Sequence, residues 1–388
     1  MFHTVLLFQP IQAIDYPIIK SILEKLSDEQ NSRRYRDKRC PDLNVYTLYG
    51  SRGITILLRR TLLKGPRFSC EKYAEEFSSG IYYHAIEIRL NPKALIQKRE
   101  YVKVAKASEF PQICDRFKEA LKPLQERVEL SPLQLFYKLN AIDEYQVKRI
   151  DYCINIRTVL HEAYMELISR ADIPAHFYLV TELDKKSGRQ VAYKNSFYIQ
   201  TKGHSVGVNI YNKEYQMQSE FADYERLEDA NQIIRIEIQC LNGKTNSLKQ
   251  KLGWRYRDCH HFMNEELSRK LIYDYYEKTV GFEDYYTLEE AKRMIQGNTQ
   301  YKSKTINKMI EVLLLINQKR SIHKAKMAYS EDATELKRVE AFNALIKKIK
   351  KSGINPVTIP VNWGYRHIPN LVEEMDKEFT QLLRVVVN

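Results

Sequence analysis

Four stretches of this chain alternate between aliphatic and polar residues, and that period of two limits the fold more than any other feature. In 147–156, Ile150, Tyr152, Ile154 and Ile156 fall on one side, and Arg149, Asp151, Cys153 and Asn155 on the other. In 233–240, Ile234, Ile236 and Ile238 oppose Arg235, Glu237 and Gln239. Within Tyr82–Leu90, Ile86, Ile88 and Leu90 oppose Glu87 and Arg89, and in 197–200 Phe197 and Ile199 oppose Tyr198 and Gln200. Successive side chains of a strand point to opposite faces. Each stretch therefore fits a sheet with one face packed and one face wet, the habit of antiparallel sheets.

Around these strands the pattern predicts an α+β fold: an antiparallel sheet with helices on one face, followed by a mainly helical, basic C-terminal domain. Met1–Phe8 reads as a first strand, since it lacks the basic lead and small-residue cleavage site of a secretory leader. Val45–Tyr49 and Ile54–Leu58, split by Gly50-Ser51-Arg52-Gly53, read as a hairpin. Helices are predicted over 110–128, over 131–140 (Ser131 as N-cap, Pro132 in the first turn) and over 158–170. Further strands fall at 175–183, 192–200 and 206–213, the last two joined by a Lys-Gly turn. Beyond 255 the pattern turns helical. Thr287-Leu288-Glu289-Glu290 reads as a capping box and Gly297 as its stop. Helices at 305–318 and 333–351 follow, the second ending at Gly353, and 354–360 reads as extended. The expected divisions are 1–254, a helical connector over 255–300 and a basic C-terminal domain over 301–388.

The net charge is +13, which favours an anionic partner, nucleic acid first. Residues 301–388 hold 16 Lys and Arg against 9 Asp and Glu, over half of that excess. Lys347, Lys348, Lys350 and Lys351 lie on the amphipathic helix with Phe342, Leu345 and Ile349, a candidate surface for duplex phosphates. Its alternative is an ordinary solvated face. The six cysteines include no Cys-x-x-Cys pair, which fits reduced, structural thiols in a cytoplasmic protein with no disulfide framework. No apolar run reaches membrane-spanning length. Cys259-His260-His261 offers metal donors, but adjacent histidines at a helix start are expected to point apart, and no second ligand pair follows. No phosphate-binding glycine loop of the Walker type is present, so any helicase step belongs to a host enzyme.

Parity places Asp151, Glu237 and Glu87 on the polar sides of their strands, together with Tyr198. Carboxylates so arranged are candidate ligands for Mg²⁺ or Mn²⁺. A tyrosine beside such an ion can attack a phosphodiester, given help to ionise from Lys202, His204 or Lys213. In the competing reading, Arg149 with Asp151 and Arg235 with Glu237 are ion pairs of the sheet.

The run from Tyr198 through the turn to Tyr211-Asn212-Lys213 resembles the active-site signature of the trans-acting Rep proteins of rolling-circle plasmids. This replication-initiation-factor family is related to the nicking proteins of filamentous phages. Arg149-Ile150-Asp151 resembles that family's upstream strand and Arg235-Ile236-Glu237 its downstream strand. The likeness covers 145–245 well and 1–145 in outline. Gln200 stands where the family usually has Gly, and Asn209 where it often has Arg. The resemblance implies a nicking enzyme with Tyr198 as nucleophile and Tyr193 and Tyr211 as rivals. Lys213 and Tyr211 complete the catalytic motif, and Asp151 and Glu237 hold the metal with Glu87 as a third ligand. Lys202, His204, Arg149 and Arg235 are placed on DNA. The implied product is a 5′-phosphotyrosine link and a free 3′-hydroxyl at an origin hairpin, single-stranded at the nick. Flanking duplex, a host helicase and polymerase, and a second copy of the chain are the implied partners. Exposed tyrosines and Trp254 are expected to stack on unpaired bases. The alternatives are a non-catalytic origin-binding or copy-control protein on the same scaffold, and an RNA-binding or protein-interaction factor.

Overall fold

A computed structural model describes residues 1–388 except 39, 61–82, 134, 136, 184–189, 221–226, 331–335 and 385–388. The chain forms two compact units that interleave along the sequence. The first comprises Met1–Cys153, His204–Val206 and Ile238–Lys270, and the second Ile154–Gly203, Gly207–Glu237 and Leu271–Asn388.

The first unit begins with β1 (Phe2–Gln12), α1 (Tyr16–Glu29), β2 (Arg34–Arg36), β3 (Leu43–Tyr46), β4 (Ile54–Arg59) and β5 (Tyr83–Leu90). Next come α2 (Pro92–Ile96), α3 (Phe110–Glu129) and β6 (Gln146–Arg157), which leaves the unit after Cys153. Strands β2-β3-β4-β5-β1-β6 lie side by side in that order. β3 and β4 pair antiparallel as the predicted hairpin, and β1 pairs antiparallel with both β5 and β6. Gly53, in the β3–β4 connection, has φ +75°, and a Cβ there would stand 2.6 Å from the Asn91 carbonyl, so no other residue fits. α1 and α3 supply the apolar cover: Ile19, Leu23, Ile113, Phe117, Leu121 and Leu124 are all buried.

The second unit begins with α4 (His161–Ile168), β7 (Phe177–Leu179), β8 (Thr181–Leu183), β9 (Gln190–Ala192), β10 (Ser196–Thr201), β11 (Val206–Asn212) and α5 (Lys213–Glu220). β12 (Ile233–Cys240) has the bounds its alternation predicts. The strand order here is β12-β11-β10-β7. Then come α6 (Asn242–Lys251), α7 (Cys259–Phe262) and α8 (Glu265–Thr279), which returns to the second unit at Leu271. The C-terminal region is helical, as expected: α9 (Leu288–Gln296), α10 (Ser303–Lys319), α11 (Ile322–Ser330), α12 (Leu336–Lys351) and α13 (Val372–Arg384). A short ribbon of β13 (Tyr285–Tyr286) and β14 (His367–Ile368) joins them. Met309, Val312, Leu313, Phe342, Leu345 and Ile349 form the apolar centre of this bundle. The fold is α+β, an antiparallel sheet with helices and a helical C-terminal region.

Two local expectations are corrected. The described residues of 131–140 form bends and turns and no helix, and Ser131 Oγ donates to the Val128 carbonyl, closing α3 instead of opening a helix. Thr287 is the N-cap of α9 but makes no side-chain cap bond, and Glu290 pairs with Arg293. The Lys-Gly turn between β10 and β11 stands where it is expected, with a positive φ of +47° at His204. Helices α11 and α13 were not anticipated. Tyr82 lies outside the described residues. Among the described residues no helix is long and apolar enough to cross a membrane.

Candidate functional site

In the second unit, the β10–β11 register sets the candidate site. Ser196 stands opposite Tyr211, Tyr198 opposite Asn209 and Gln200 opposite Gly207. Alternate side chains share a face. Phe197, Ile199, Val208 and Ile210 therefore take the packed side, where all four are buried. Ser196, Tyr198, Gln200, Asn209 and Tyr211 take the other. Hydrogen bonds fix that polar face: Ser196 Oγ donates to Asn209 Oδ1 at 2.7 Å, and Tyr178 Oη to Gln200 Oε1 at 2.6 Å. Tyr211 Oη donates to Glu237 Oε2 at 3.4 Å, a long bond for a hydroxyl. This contact carries the face on to β12, whose Ile234, Ile236 and Ile238 are buried on the opposite side.

The three tyrosines differ. Tyr211 is buried and engaged with Glu237. Tyr193 is exposed, and its ring centroid lies 6.2 Å from that of Tyr198. Tyr198 is half-buried. Lys213, at the start of α5, is 1% exposed, and its Nζ donates to Gln216 Oε1 at 2.6 Å. Lys202 is exposed on the turn. Arg235 is 0% exposed, with Nε donating to Asn155 Oδ1 at 2.7 Å. A guanidinium with no accessible surface cannot reach a phosphate, so Arg235 is a strut of the sheet and not the DNA contact expected of it.

In the first unit, Asp151 is 1% exposed, and both its oxygens accept from Arg149, Nε to Oδ1 at 2.7 Å and Nη2 to Oδ2 at 2.8 Å. The pair lies within one strand, two residues apart. Arg149 keeps about a third of its surface in water. His204, also in this unit, is exposed. Glu87, 1% exposed, accepts from Arg59 Nε at 3.0 Å and Nη2 at 3.3 Å, and from Lys148 Nζ at 2.6 Å. Burial works to raise its carboxyl, but Lys148 and Arg59 outweigh it and hold it below the usual range.

These partners decide which of the acids suit a metal ion. Glu87 does not fit a cation, because two positive groups already fill both its oxygens. Glu237 offers a hard oxygen donor of the kind Mg²⁺ and Mn²⁺ take. Asp151 offers the same chemistry once Arg149 yields an oxygen. Tyr178 and Ser196 on the polar face were missed by the sequence reading. Their signal was the same two-residue parity, applied to strands too short to show it clearly.

Of the C-terminal lysines, Lys347 and Lys351 face solvent. Lys350 pairs with Glu283 at 3.9 Å, and Lys348 sits 5.8 Å over the Tyr301 ring. The described cysteines, Cys40, Cys114, Cys153, Cys240 and Cys259, are free thiols. Burial pushes Cys240 up to about 12. Cys70 lies outside the described residues. His260 and His261 do not point apart, since their ring centroids are 3.9 Å from one another. Trp254 stacks on His261 at 4.9 Å, so one face of its indole is already covered.

No protein-family model matches the chain, and no curated protein matches its sequence. Among solved structures it is similar to the rolling circle replication initiator protein from Geobacillus stearothermophilus. The two are 9% identical, with 65% of this chain and 77% of that chain covered and a TM-score of 0.27. An overlap of that size carries no argument about fold or function.

Proposed function

We propose that this chain is a replication initiator that nicks one DNA strand through Tyr198. The observation that carries the proposal is the shared polar face of β10, β11 and β12, on which Tyr198 keeps access to solvent while Tyr211 engages Glu237. The net charge of +13 supports a polyanionic substrate.

An ordinary phenol ionises near pH 10, so forming phenolate near pH 7.5 costs roughly 3 kcal/mol. Positive charge beside the phenol offsets that cost, and Lys202 and Lys213 are the lysines flanking the hairpin. The Tyr198 oxygen attacks phosphorus, the bond from phosphorus to the 3′-oxygen breaks, and that oxygen takes a proton. The 5′ end is then held on the protein as a phosphotyrosine. Because one phosphodiester replaces another, the reverse step reseals the strand. Glu237 in the second unit, and Asp151 in the first, each offer a carboxylate that would hold Mg²⁺ or Mn²⁺, and such an ion would supply charge for the phosphate oxygens. Arg149, Lys202 and His204 contact phosphate, and Lys347 and Lys351 grip flanking duplex. A second copy of the chain and a host helicase and polymerase complete the partners.

A second reading is a non-catalytic origin-binding protein, favoured by the two-bond grip of Arg149 on Asp151. Incubating the protein with Mn²⁺ and labelled single-stranded oligonucleotides separates the two. The first reading expects a covalent adduct in a denaturing gel, absent from Tyr198→Phe. Tight metal-independent duplex binding with no adduct supports the second, and preference for RNA over DNA defeats both.

A further inference from the structure

The connection from α6 to α7 ends in Asp258-Cys259-His260-His261. One ligand atom each from Asp258, His260 and His261 lies within 4.8 Å of the others. The sequence alone offers the two histidines with Cys259, but that cysteine is fully buried and the third donor of the cluster is Asp258.

A separate observation points to a missing group. Asp258 Oδ1 and His261 Nδ1 are both shut off from solvent and have no hydrogen-bond partner among the described residues. Buried polar atoms are nearly always satisfied, and an unsatisfied one in a native fold calls for a water or an ion. Here two belong to the same three-residue cluster, and one is a carboxylate oxygen that can only accept. The His261 ring is held in place by Trp254, stacked at 11°, and the Trp254 ring meets Phe262 edge-on at 5.0 Å. An imidazole fixed by a neighbouring ring loses little freedom on binding an ion.

We propose that Asp258, His260 and His261 bind one divalent ion of the borderline class, with Zn²⁺ as the best fit, and leave a coordination position for water. Two imidazoles and one carboxylate suit this class, whereas Mg²⁺ and Ca²⁺ prefer all-oxygen sites. Ligand bonds to Zn²⁺ run about 2.0–2.2 Å, which sets donors on a tetrahedral ion roughly 3.4 Å apart. The cluster would reach that spacing by rotation of the exposed His260 and the part-exposed Asp258 toward the fixed His261 ring. The ion would tie Asp258 to the start of α7 and so hold the Trp254–Phe262 segment. The site owes nothing to Tyr198 and stands whether or not the chain nicks DNA.

Stripping the full-length protein with chelator and titrating it with ZnCl₂ by calorimetry tests this. One ion per chain is expected for the wild type and equally for Tyr198→Phe. His260→Ala and Asp258→Asn should each weaken binding at least ~10-fold, and His260→Ala/His261→Ala should abolish it. Melting curves in chelator check that each variant is folded, and the two single variants decide the matter if the double one is not. Absence of binding by the wild type, or undiminished binding by folded variants, overturns the site.

Discussion

Glu87 and Glu237 have the same sequence signature, an acid on the polar side of an otherwise aliphatic strand, yet they sit in different chemical settings. Glu87 is enclosed by Arg59 and Lys148 and held as a carboxylate by both. Glu237 meets the hydroxyl of Tyr211 on a face that also carries a solvent-accessible tyrosine. Parity tells which side of a sheet an acid takes. It does not tell whether the neighbouring strand brings a cation or a phenol. The first neighbour makes an electrostatic joint and the second makes a candidate for chemistry.

Substituting the two acids sharpens that contrast. Glu87→Gln leaves Arg59 and Lys148 facing a neutral amide, and the expected loss is about 3 kcal/mol in urea unfolding. The folded carboxyl titrates below its ordinary value of 4.5. Its stabilisation is therefore complete above that pH and disappears as pH falls through the folded value. The stability gap between wild type and Glu87→Gln should close in that acid range and stay constant from pH 6 to 8. Glu237→Gln should cut adduct formation about 100-fold while costing less stability than Glu87→Gln, since the Tyr211 hydroxyl can still donate to the amide oxygen. Equal losses of stability for the two variants would erase the distinction between them.

Tyr211→Phe removes the long hydrogen bond to Glu237, and the expected cost is about 1 kcal/mol with the adduct retained. Loss of the adduct in that variant would move the nucleophile to Tyr211. The smallest effect is expected from Lys347→Ala/Lys351→Ala. The slope of log affinity for duplex DNA against log salt should fall by about 2, with stability unchanged. Lys350→Ala should instead register mainly as stability, because that lysine pairs with Glu283.

Much of the sheet was legible in the sequence, because side-chain alternation is a strong local signal. β12 matches its predicted bounds, and β6 and β11 fall within one residue of theirs. What escaped depends on distant partners. α11 carries Lys326, which is nearly buried and bonds both oxygens of Asp172, so a charge sits where a helix pattern expects an apolar residue. In α13, Val372, Met375 and Phe379 do keep helical spacing, so this helix is legible in the sequence. Ser131 and Pro132 look like a helix start, yet the hydroxyl of Ser131 turns back to the carbonyl of Val128. The roles of Arg235 and Glu87 were hidden for the same reason. Burial and pairing with Asn155, Arg59 and Lys148 are facts of tertiary structure. The interleaved units are a further such fact, since β6 and β12 each contribute residues to both.

The most direct test is to identify which residue carries the DNA. Adduct formed with Mn²⁺ and a single-stranded oligonucleotide can be digested with nuclease and protease, and the nucleotide-bearing peptide sequenced by mass spectrometry. The account predicts a 5′-phosphonucleotide on Tyr198. Its appearance on Tyr193, on Tyr211 or on no tyrosine would contradict it.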